Sequence, residues 1–182
     1  MAGGFILMTE IQAVFIDRDG TIGGTGHFIH PHDFKPYTYS KDAIHLLKAH
    51  GIPLFACTNQ WRISKSQAAM DDFCEEFRSY DLDGAFICPH GPDDGCTCRK
   101  PKPGLLLAAA KKYHLDLSKT MCIGDTGTDM QAAGAVGAKK ILVRTGWGES
   151  SLNEYRHTWA EVEPDYIADN LLTAAQWTVS RL

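Results

Sequence analysis

Along the chain, short apolar runs alternate with longer stretches that are apolar on one side only. The runs are Ala13–Ile16, Pro53–Cys57, Ala85–Cys88, Met121–Ile123, Ile141–Val143 and a shorter one at Tyr166–Ile167. Each is bounded by turn-forming or polar residues, the pattern of strands buried on both faces in a parallel sheet. The intervening stretches, about Lys41–Ala49, Ser66–Tyr80, Leu105–His114, Asp129–Val136 and Asn170–Ser180, predict helices. Gly51 follows the first as a stop signal. Pro103 suits the opening turn of the third, and Lys111, Lys112 and His114 crowd its far end, where the helix dipole is negative. Strands alternating with helices predict an α/β fold: a Rossmann-like, doubly wound parallel sheet.

Repeats, low-complexity segments and linkers are absent from the sequence, which predicts one domain over residues 9–182 behind a flexible extension, residues 1–8. The extension holds an apolar patch, Phe5-Ile6-Leu7-Met8, without the basic stretch and small-residue cleavage site of a signal peptide. Two connections exceed a simple turn, Gly20–Tyr39 and Pro89–Lys102. Neither can form a large cap domain, so an open site is expected at the strand ends.

The first apolar run leads directly into Asp17-Arg18-Asp19-Gly20-Thr21. Side chains alternate along an extended chain, so Asp17 and Asp19 project together while Arg18 turns aside. Paired carboxylates in a mouth of low polarity repel and need a cation or a proton between them. Three more segments end on the same sheet edge: Thr58-Asn59-Gln60, Arg99-Lys100, and Gly124-Asp125-Thr126-Gly127-Thr128-Asp129. Acids, a hydroxyl and two cations in one mouth suit phosphoryl transfer, where catalysis is mostly positioning and charge neutralisation. Asp17, Asp19 and Asp125 are the expected ligands of Mg²⁺, a hard ion that prefers oxygen.

A second cluster is Cys88-Pro-His90-Gly-Pro-Asp-Asp-Gly-Cys96-Thr-Cys98. Three thiols and an imidazole at this spacing predict a closed tetrahedral Zn²⁺ site, structural because no ligand position stays open for water. Cys98 is followed at once by Arg99 and Lys100, so a metal in this loop would aim both cations at a phosphate. Arg99 can grip an anion bidentately, whereas Lys100 is a point charge. Cys57, Cys74 and Cys122 read as buried small hydrophobes. With no export signal, a reducing cytoplasm is the expected compartment.

These motifs resemble those of the haloacid-dehalogenase-like phosphatases, and the likeness runs from Asp17 to about Gly148. Asp17 to Thr21 matches the first family motif, Thr58 the second, Lys100 the third, and Gly124-Asp125 with Asp129 the fourth. The resemblance implies that Asp17 is the nucleophile of an aspartyl-phosphate mechanism. It implies that Asp19 is acid and then base, that Thr58 and Lys100 hold phosphoryl oxygens, and that Asp129 stands beside or behind the Mg²⁺. Lys102 is the rival of Lys100. The cysteine loop attached to this core is similar to the zinc-containing heptose-1,7-bisphosphate 7-phosphatase and histidinol-phosphatase subfamily. Residues expected to face substrate are Thr25, Gly26, His27, Phe28, Asn59, Gln60 and Arg99. The heptose enzymes have Asn where this chain has Gly23, Asp-His-Gly-Tyr where it has Thr25 to Phe28, Ser-Gly where it has Trp61-Arg62, and Lys where it has Thr126. These departures predict poor or unselective hydrolysis of heptose bisphosphate and preference for another small phosphorylated metabolite, a sugar phosphate or bisphosphate.

Composition narrows the alternatives. A net charge of −4 disfavours a broad nucleic-acid-binding face, and with it the reading as a nucleic-acid-end phosphatase. No apolar run reaches the roughly 18 residues that span a bilayer. A phospho-accepting signalling receiver takes phosphate on a mid-chain strand, whereas the paired acids here end the first one. An inactive phosphate-binding module would not need the full set of reactive side chains. The expected partner is a small phosphorylated metabolite bound by a monomer. His27, His30 and His32 read as surface or substrate-facing groups. The aromatics between Trp147 and Trp159 read as cover for the sheet edge.

Overall fold

In the computed structural model, residues 10–182 are described; the predicted extension at 1–8 lies outside them. The strands are β1 (Ala13–Ile16), β2 (Leu54–Asn59), β3 (Gly84–Cys88), β4 (Thr120–Gly124), β5 (Lys139–Val143) and β6 (Tyr166–Ala168). The helices are α1 (Ser40–Ala49), α2 (Met70–Ser79), α3 (Gly104–Tyr113), α4 (Gly127–Ala135), α5 (Gly148–Leu152) and α6 (Leu171–Val179). All six strands are parallel in the order β3-β2-β1-β4-β5-β6. The chain therefore winds outward from β1 in one direction, returns, and winds outward from β4 in the other. This is the predicted doubly wound sheet, and its switch point lies between β1 and β4.

Alternation along β1 divides the core. Val14 and Ile16 pack with Ala43 and Leu47 of α1, Phe73 and Phe77 of α2, and Leu171 and Ala174 of α6. Ala13 and Phe15 face the opposite way, toward Leu105 and Ala109 of α3 and Ala132 and Ala133 of α4. With apolar cover on both faces, the polar residues following each strand collect at the sheet's open edge.

Two boundaries differ from the sequence expectation. Ser66 adopts a left-handed conformation (φ 54°) at the end of a 3-10 turn over Trp61–Lys65, so α2 begins at Met70 rather than at Ser66. The segment after β5 forms α5 and a further 3-10 turn, Arg156–Trp159, where Trp159 is buried against Met130 and Leu142. Neither long connection, after β1 or after β3, contains a helix or strand of its own, in line with the absence of a large cap. Among the described residues no helix is long and apolar enough to cross a membrane.

Candidate active site

Asp17 follows the last residue of β1 and Asp125 the last residue of β4, so both leave the sheet at its switch point. The strands are in register there, Ile16 opposite Ile123, and the Asp17 N–H donates to the Ile123 carbonyl (2.9 Å). Asp17 continues the parity of Phe15 and turns toward the α3–α4 side. There it meets Asp129, in the first turn of α4, and Lys100, from the loop before α3. One carboxylate oxygen each from Asp17, Asp125 and Asp129 lie within 4.8 Å of one another.

Lys100 is buried at the centre of this group. Its three ammonium protons reach Asp17 Oδ1 (3.1 Å), the Cys57 carbonyl (2.7 Å) and Asp129 Oδ1. Burial works against its charge, yet the carboxylates of Asp129 and Asp17 outweigh that and hold its pKa well above the usual lysine value. Burial, reinforced by Asp129 and Asp19 against Lys100, pushes Asp17 up to about 6. Asp125 is raised well above the ordinary range, first by burial and then by Asp17 and Asp129. One ammonium does not balance three clustered acids.

Asp125 carries the clearest sign of what this cluster is built to hold. Its Oδ2 accepts the Trp147 N–H (2.8 Å), while Oδ1 is buried and has no hydrogen-bond partner. Gly20 (φ 82°) and Gly146 (φ 58°) let two loops close over this carboxylate, since a Cβ at either would strike Asp125 Oδ2. A buried, unpartnered carboxylate oxygen among like charges fits a hard divalent cation, and this donor set fits Mg²⁺.

The structure does not bring the Asp19 carboxylate into that group. Arg18 Nη1 donates to its Oδ1 (2.7 Å) and Gln60 Nε2 to its Oδ2 (2.6 Å), so each oxygen is already held. Burial raises its pKa against the opposing effects of Arg18 and Gln60. Gln60 also donates to Thr58 Oγ1 (3.0 Å), at the end of β2. Arg18 does turn away from Asp17, but into the core on the α2 side rather than to solvent.

Beside the acids, Cys88, His90, Cys96 and Cys98 converge with their ligand atoms within 4.8 Å of one another. Cys88 Sγ lies 3.6 Å from His90 Nδ1 and 3.7 Å from Cys96 Sγ. Cys98 Sγ lies 3.3 Å from both His90 Nδ1 and Cys88 Sγ. A tetrahedron with zinc–sulfur bonds of about 2.3 Å has edges of about 3.8 Å, so the spacing is that of four ligands around one small ion. All six cysteines are free thiols. The donor set and its geometry fit Zn²⁺. The Arg99 N–H points at Cys96 Sγ (3.4 Å), and Lys100 exchanges two hydrogen bonds with Asn59: its N–H to Oδ1 (3.0 Å) and its carbonyl from Nδ2 (3.1 Å). The thiol loop is thus one residue removed from the end of β2. Lys102 donates instead to the Cys96 carbonyl (2.6 Å), which leaves Lys100 as the cation among the acids.

A cavity of about 220 Å³ opens over the acids, walled by Asp17, Asp19, Thr58, Asn59, Arg99 and Lys100 on one side. Gly26, Thr126, Thr128 and Trp147 close the other. Of the residues expected to face substrate, Asn59, Gly26 and Arg99 lie on this wall. Gln60 is buried behind it, Thr25 and His27 are exposed beside it, and Phe28 sits under the Arg62 guanidinium. Asn59 and Arg99 are also occupied locally, Arg99 Nη1 with the His90 carbonyl (3.1 Å). The sequence gives no sign that Trp147 and Thr128 line the cavity; the Trp147 ring, expected only as sheet-edge cover, packs against Gly26 and His27 of the loop after β1. Gly23 is buried against Lys35 and Pro36, where a Cβ would meet their backbone, so its lack of a side chain concerns packing and not the cavity wall.

A family model described as HAD-hyrolase-like matches residues 97–174. The D-glycero-beta-D-manno-heptose-1,7-bisphosphate 7-phosphatase of Pseudomonas putida is 35% identical over 155 residues, covering 79% of this chain and 89% of that protein. The Escherichia coli K12 protein of the same name is 38% identical, over 75% of this chain and 81% of its own length. Among solved structures, a D,D-heptose 1,7-bisphosphate phosphatase from B. bronchiseptica, complexed with magnesium and phosphate, aligns with a TM-score of 0.82. Its sequence identity is 28%, and the alignment covers 94% of this chain and 99% of that one.

Proposed function

The chain belongs to the haloacid-dehalogenase-like phosphatases, and we propose that it removes one phosphate from a small sugar bisphosphate, with Asp17 as nucleophile. The observation that carries this reading is the switch-point cluster: three acids around one buried lysine, with the Asp125 Oδ1 atom unpartnered. Such a cluster is costly to fold and is well suited to a cation with a phosphate.

In the first step an Asp17 carboxylate oxygen attacks phosphorus, the bond from phosphorus to the sugar oxygen breaks, and Asp19 gives its proton to the departing alkoxide. In the second, Asp19 takes a proton from water, whose oxygen attacks the aspartyl-phosphate; inorganic phosphate leaves and the Asp17 carboxylate is restored. Asp19 is assigned to proton transfer alone, because Arg18 and Gln60 already occupy its carboxylate. Thr58 and Lys100 hold the transferring oxygens. Lys100 has no spare proton while Asp17 is free. Once Asp17 is esterified and has lost its charge, the proton it held turns to the phosphoryl group. Mg²⁺, held by Asp17 and Asp125 with Asp129 behind them, would supply charge neutralisation at the phosphate. Zn²⁺ on Cys88, His90, Cys96 and Cys98 would brace the loop that carries Arg99 and Lys100. The free thiols such a brace requires persist in a reducing compartment, which we take to be the cytoplasm, with residues 9–182 acting as one domain.

The relatives' substrate, a heptose 1,7-bisphosphate, is the first candidate. The departures in sequence argued against it, yet Gly23 lies off the cavity wall and Thr126 spends its hydroxyl on Asp129 (2.8 Å). The experiment is a phosphate-release assay with Mg²⁺ across sugar bisphosphates, sugar monophosphates, histidinol phosphate and nucleotides. Fastest turnover of a sugar bisphosphate is expected; a clear preference for nucleotides or histidinol phosphate would overturn the substrate class while leaving the roles of Asp17 and Asp19 standing.

A further inference from the structure

Arg18 stands between the two reactive acids in sequence but is fully buried, with no exposed surface. It continues the parity of Val14 and Ile16 and so enters the α2 side of the sheet. There its Nε donates to Glu76 Oε1 (2.8 Å) and its Nη2 to Glu76 Oε2 (2.7 Å), a bidentate pair with a helix 58 residues away in sequence. The guanidinium lies over the Phe34 ring (3.8 Å to the centroid) and near that of Phe73 (5.0 Å), which fixes its plane. Its remaining amino group, Nη1, points back to the cavity and donates to Asp19 Oδ1.

We infer that Arg18 and Glu76 form a positioning bracket that holds the Asp19 carboxylate where it can hand a proton to the leaving oxygen; this rests on the acid–base role proposed for Asp19. A buried ion pair is weak evidence of stabilisation, because desolvating both charges costs much of what their attraction returns. The surrounding cluster of Val14, Ile16, Ile22 and Phe73 could have been continued with apolar side chains. What an apolar pair cannot supply is a fixed N–H aimed at one oxygen of Asp19. Glu76 takes two of the guanidinium's donor sites and the aromatic faces set its tilt, so Nη1 has one direction left. Gln60 closes the other oxygen from β2's end, and the carboxylate is held from both sides.

A proton donor matters in proportion to how badly the leaving group needs a proton. A sugar alkoxide needs one; p-nitrophenolate leaves as a stable anion. Positioning of Asp19 as the acid is therefore tested by the ratio of kcat/KM on an alkyl phosphate to kcat/KM on p-nitrophenyl phosphate, with Mg²⁺ present, since kcat/KM reports the step in which the leaving group departs and not the shared hydrolysis of the aspartyl-phosphate. For Glu76→Gln, a fall of about 10-fold on the alkyl phosphate is expected, since misplacement on the order of 1 Å can cost up to about 10²-fold. The kcat/KM for p-nitrophenyl phosphate should change less than about 2-fold on the same grounds. Glu76→Gln leaves Arg18 buried with one of its three bonds lost and its charge unpaired by residue 76, so a second variant, Arg18→Met with Glu76→Leu, replaces the pair by apolar groups of similar size that can pack. It should show the same ratio. Equal losses on both substrates, or no loss on either, would overturn the bracket as a positioning device. Asp19→Asn serves as reference: if its ratio is that of the unchanged protein, the acid role itself is wrong and the bracket falls with it. A shifted ratio in Asp19→Asn, with unshifted ratios in both bracket variants, removes the inference alone.

Discussion

The acid cluster at the switch point and the thiol loop beside it are two metal-fitting sites built on opposite terms. Asp17, Thr58, Lys100, Asp125 and Asp129 come from four separate parts of the chain, and only the parallel sheet brings them together. The thiol loop takes all four donors from residues 88–98, folded on themselves by Gly91 and Gly95. The acids are held against their mutual repulsion inside the fold, with burial raising Asp17 and Asp125. The thiols are partly exposed for the most part, and local turns suffice to hold them. The acid site is kept under electrostatic tension that a ligand relieves, which is what turnover needs. The thiol site has four donors and no position to spare, which is what a brace needs. They meet at two consecutive residues: Arg99 points its N–H at Cys96, and Lys100 bonds to Asn59.

The largest effect separating the two comes from Asp17→Asn. Losing a nucleophile should cut phosphate release by about 10⁴-fold or more. The substitution also removes one like charge from the cluster, so thermal stability without metal should hold or rise. Trapping labelled phosphate on the protein checks the role: label on the unchanged protein and on Asp19→Asn, none on Asp17→Asn. Label retained by the Asp17 variant would move the nucleophile elsewhere.

Next in size is loss of the brace. Cys96→Ser should abolish binding of one Zn²⁺ per chain and lower turnover by roughly 10–100-fold through the Arg99–Lys100 loop, the cost typical of losing support around a metal site. Far-ultraviolet circular dichroism should change little, because the loop lies outside the sheet. Metal analysis and activity together decide: full activity without zinc would show that Asn59 alone is enough to hold Lys100.

This division also explains what could be read beforehand. The convergence of Cys88, His90, Cys96 and Cys98 was legible because their spacing is local. Asp17 and Thr58 were legible as one group because they stand where apolar runs of a parallel sheet end, and Lys100 because it adjoins the thiol loop; their proposed roles came from the family resemblance. Asp129 joined the acid triad in place of Asp19 for a reason that spacing hides. Alternation predicts that Asp17 and Asp19 share a side, but β1 ends at Ile16, and in the turn that follows Asp19 is drawn to Arg18 and Gln60. Glu76 could not have been found, because a lone acid on a helix 58 residues from Arg18 gives no signal until the helix is packed. Trp147 was hidden likewise: its backbone N–H, not its ring, reaches Asp125.

A smaller effect sharpens the electrostatic half of the comparison. Burial holds Asp17 near 6 in the metal-free fold against 3.8 ordinarily. Between those values the folded state keeps a proton that the unfolded chain has released. The contribution is therefore fully present below about pH 4 and lost as pH rises through about 6, a change on the order of 3 kcal/mol. Mg²⁺ competes with that proton, so its stabilisation should be larger at pH 7.5 than at pH 5. Calorimetric melting with Mg²⁺ or with a chelator, at both values, measures this directly. An equal Mg²⁺ increment at both would mean that Asp17 is not a ligand. The zinc loop, chelated separately, should leave this difference unchanged.

The smallest expected effect concerns the wall that the two sites share with the substrate. Thr126 precedes α4; its N–H (3.1 Å) and its hydroxyl (2.8 Å) both donate to Asp129 Oδ2, while Asp129 Oδ1 holds Lys100. Thr126→Lys keeps the N–H bond and deletes the hydroxyl one, at a helix start where such losses cost about 1 kcal/mol. For a chain of this size that lowers Tm by roughly 2–4 °C. The new ammonium stands at the cavity edge, where a second phosphate of a sugar bisphosphate carries charge. KM for a bisphosphate should then fall a few-fold while KM for the matching monophosphate stays put, the difference reporting an added charge pair partly screened by water. A KM that falls equally for both would place the lysine on the scissile phosphate instead. A rise in both, accompanied by a lower kcat, would show that the Asp129–Lys100 contact depends on the Thr126 hydroxyl, and that this edge of the acid site tolerates less change than its exposure suggests.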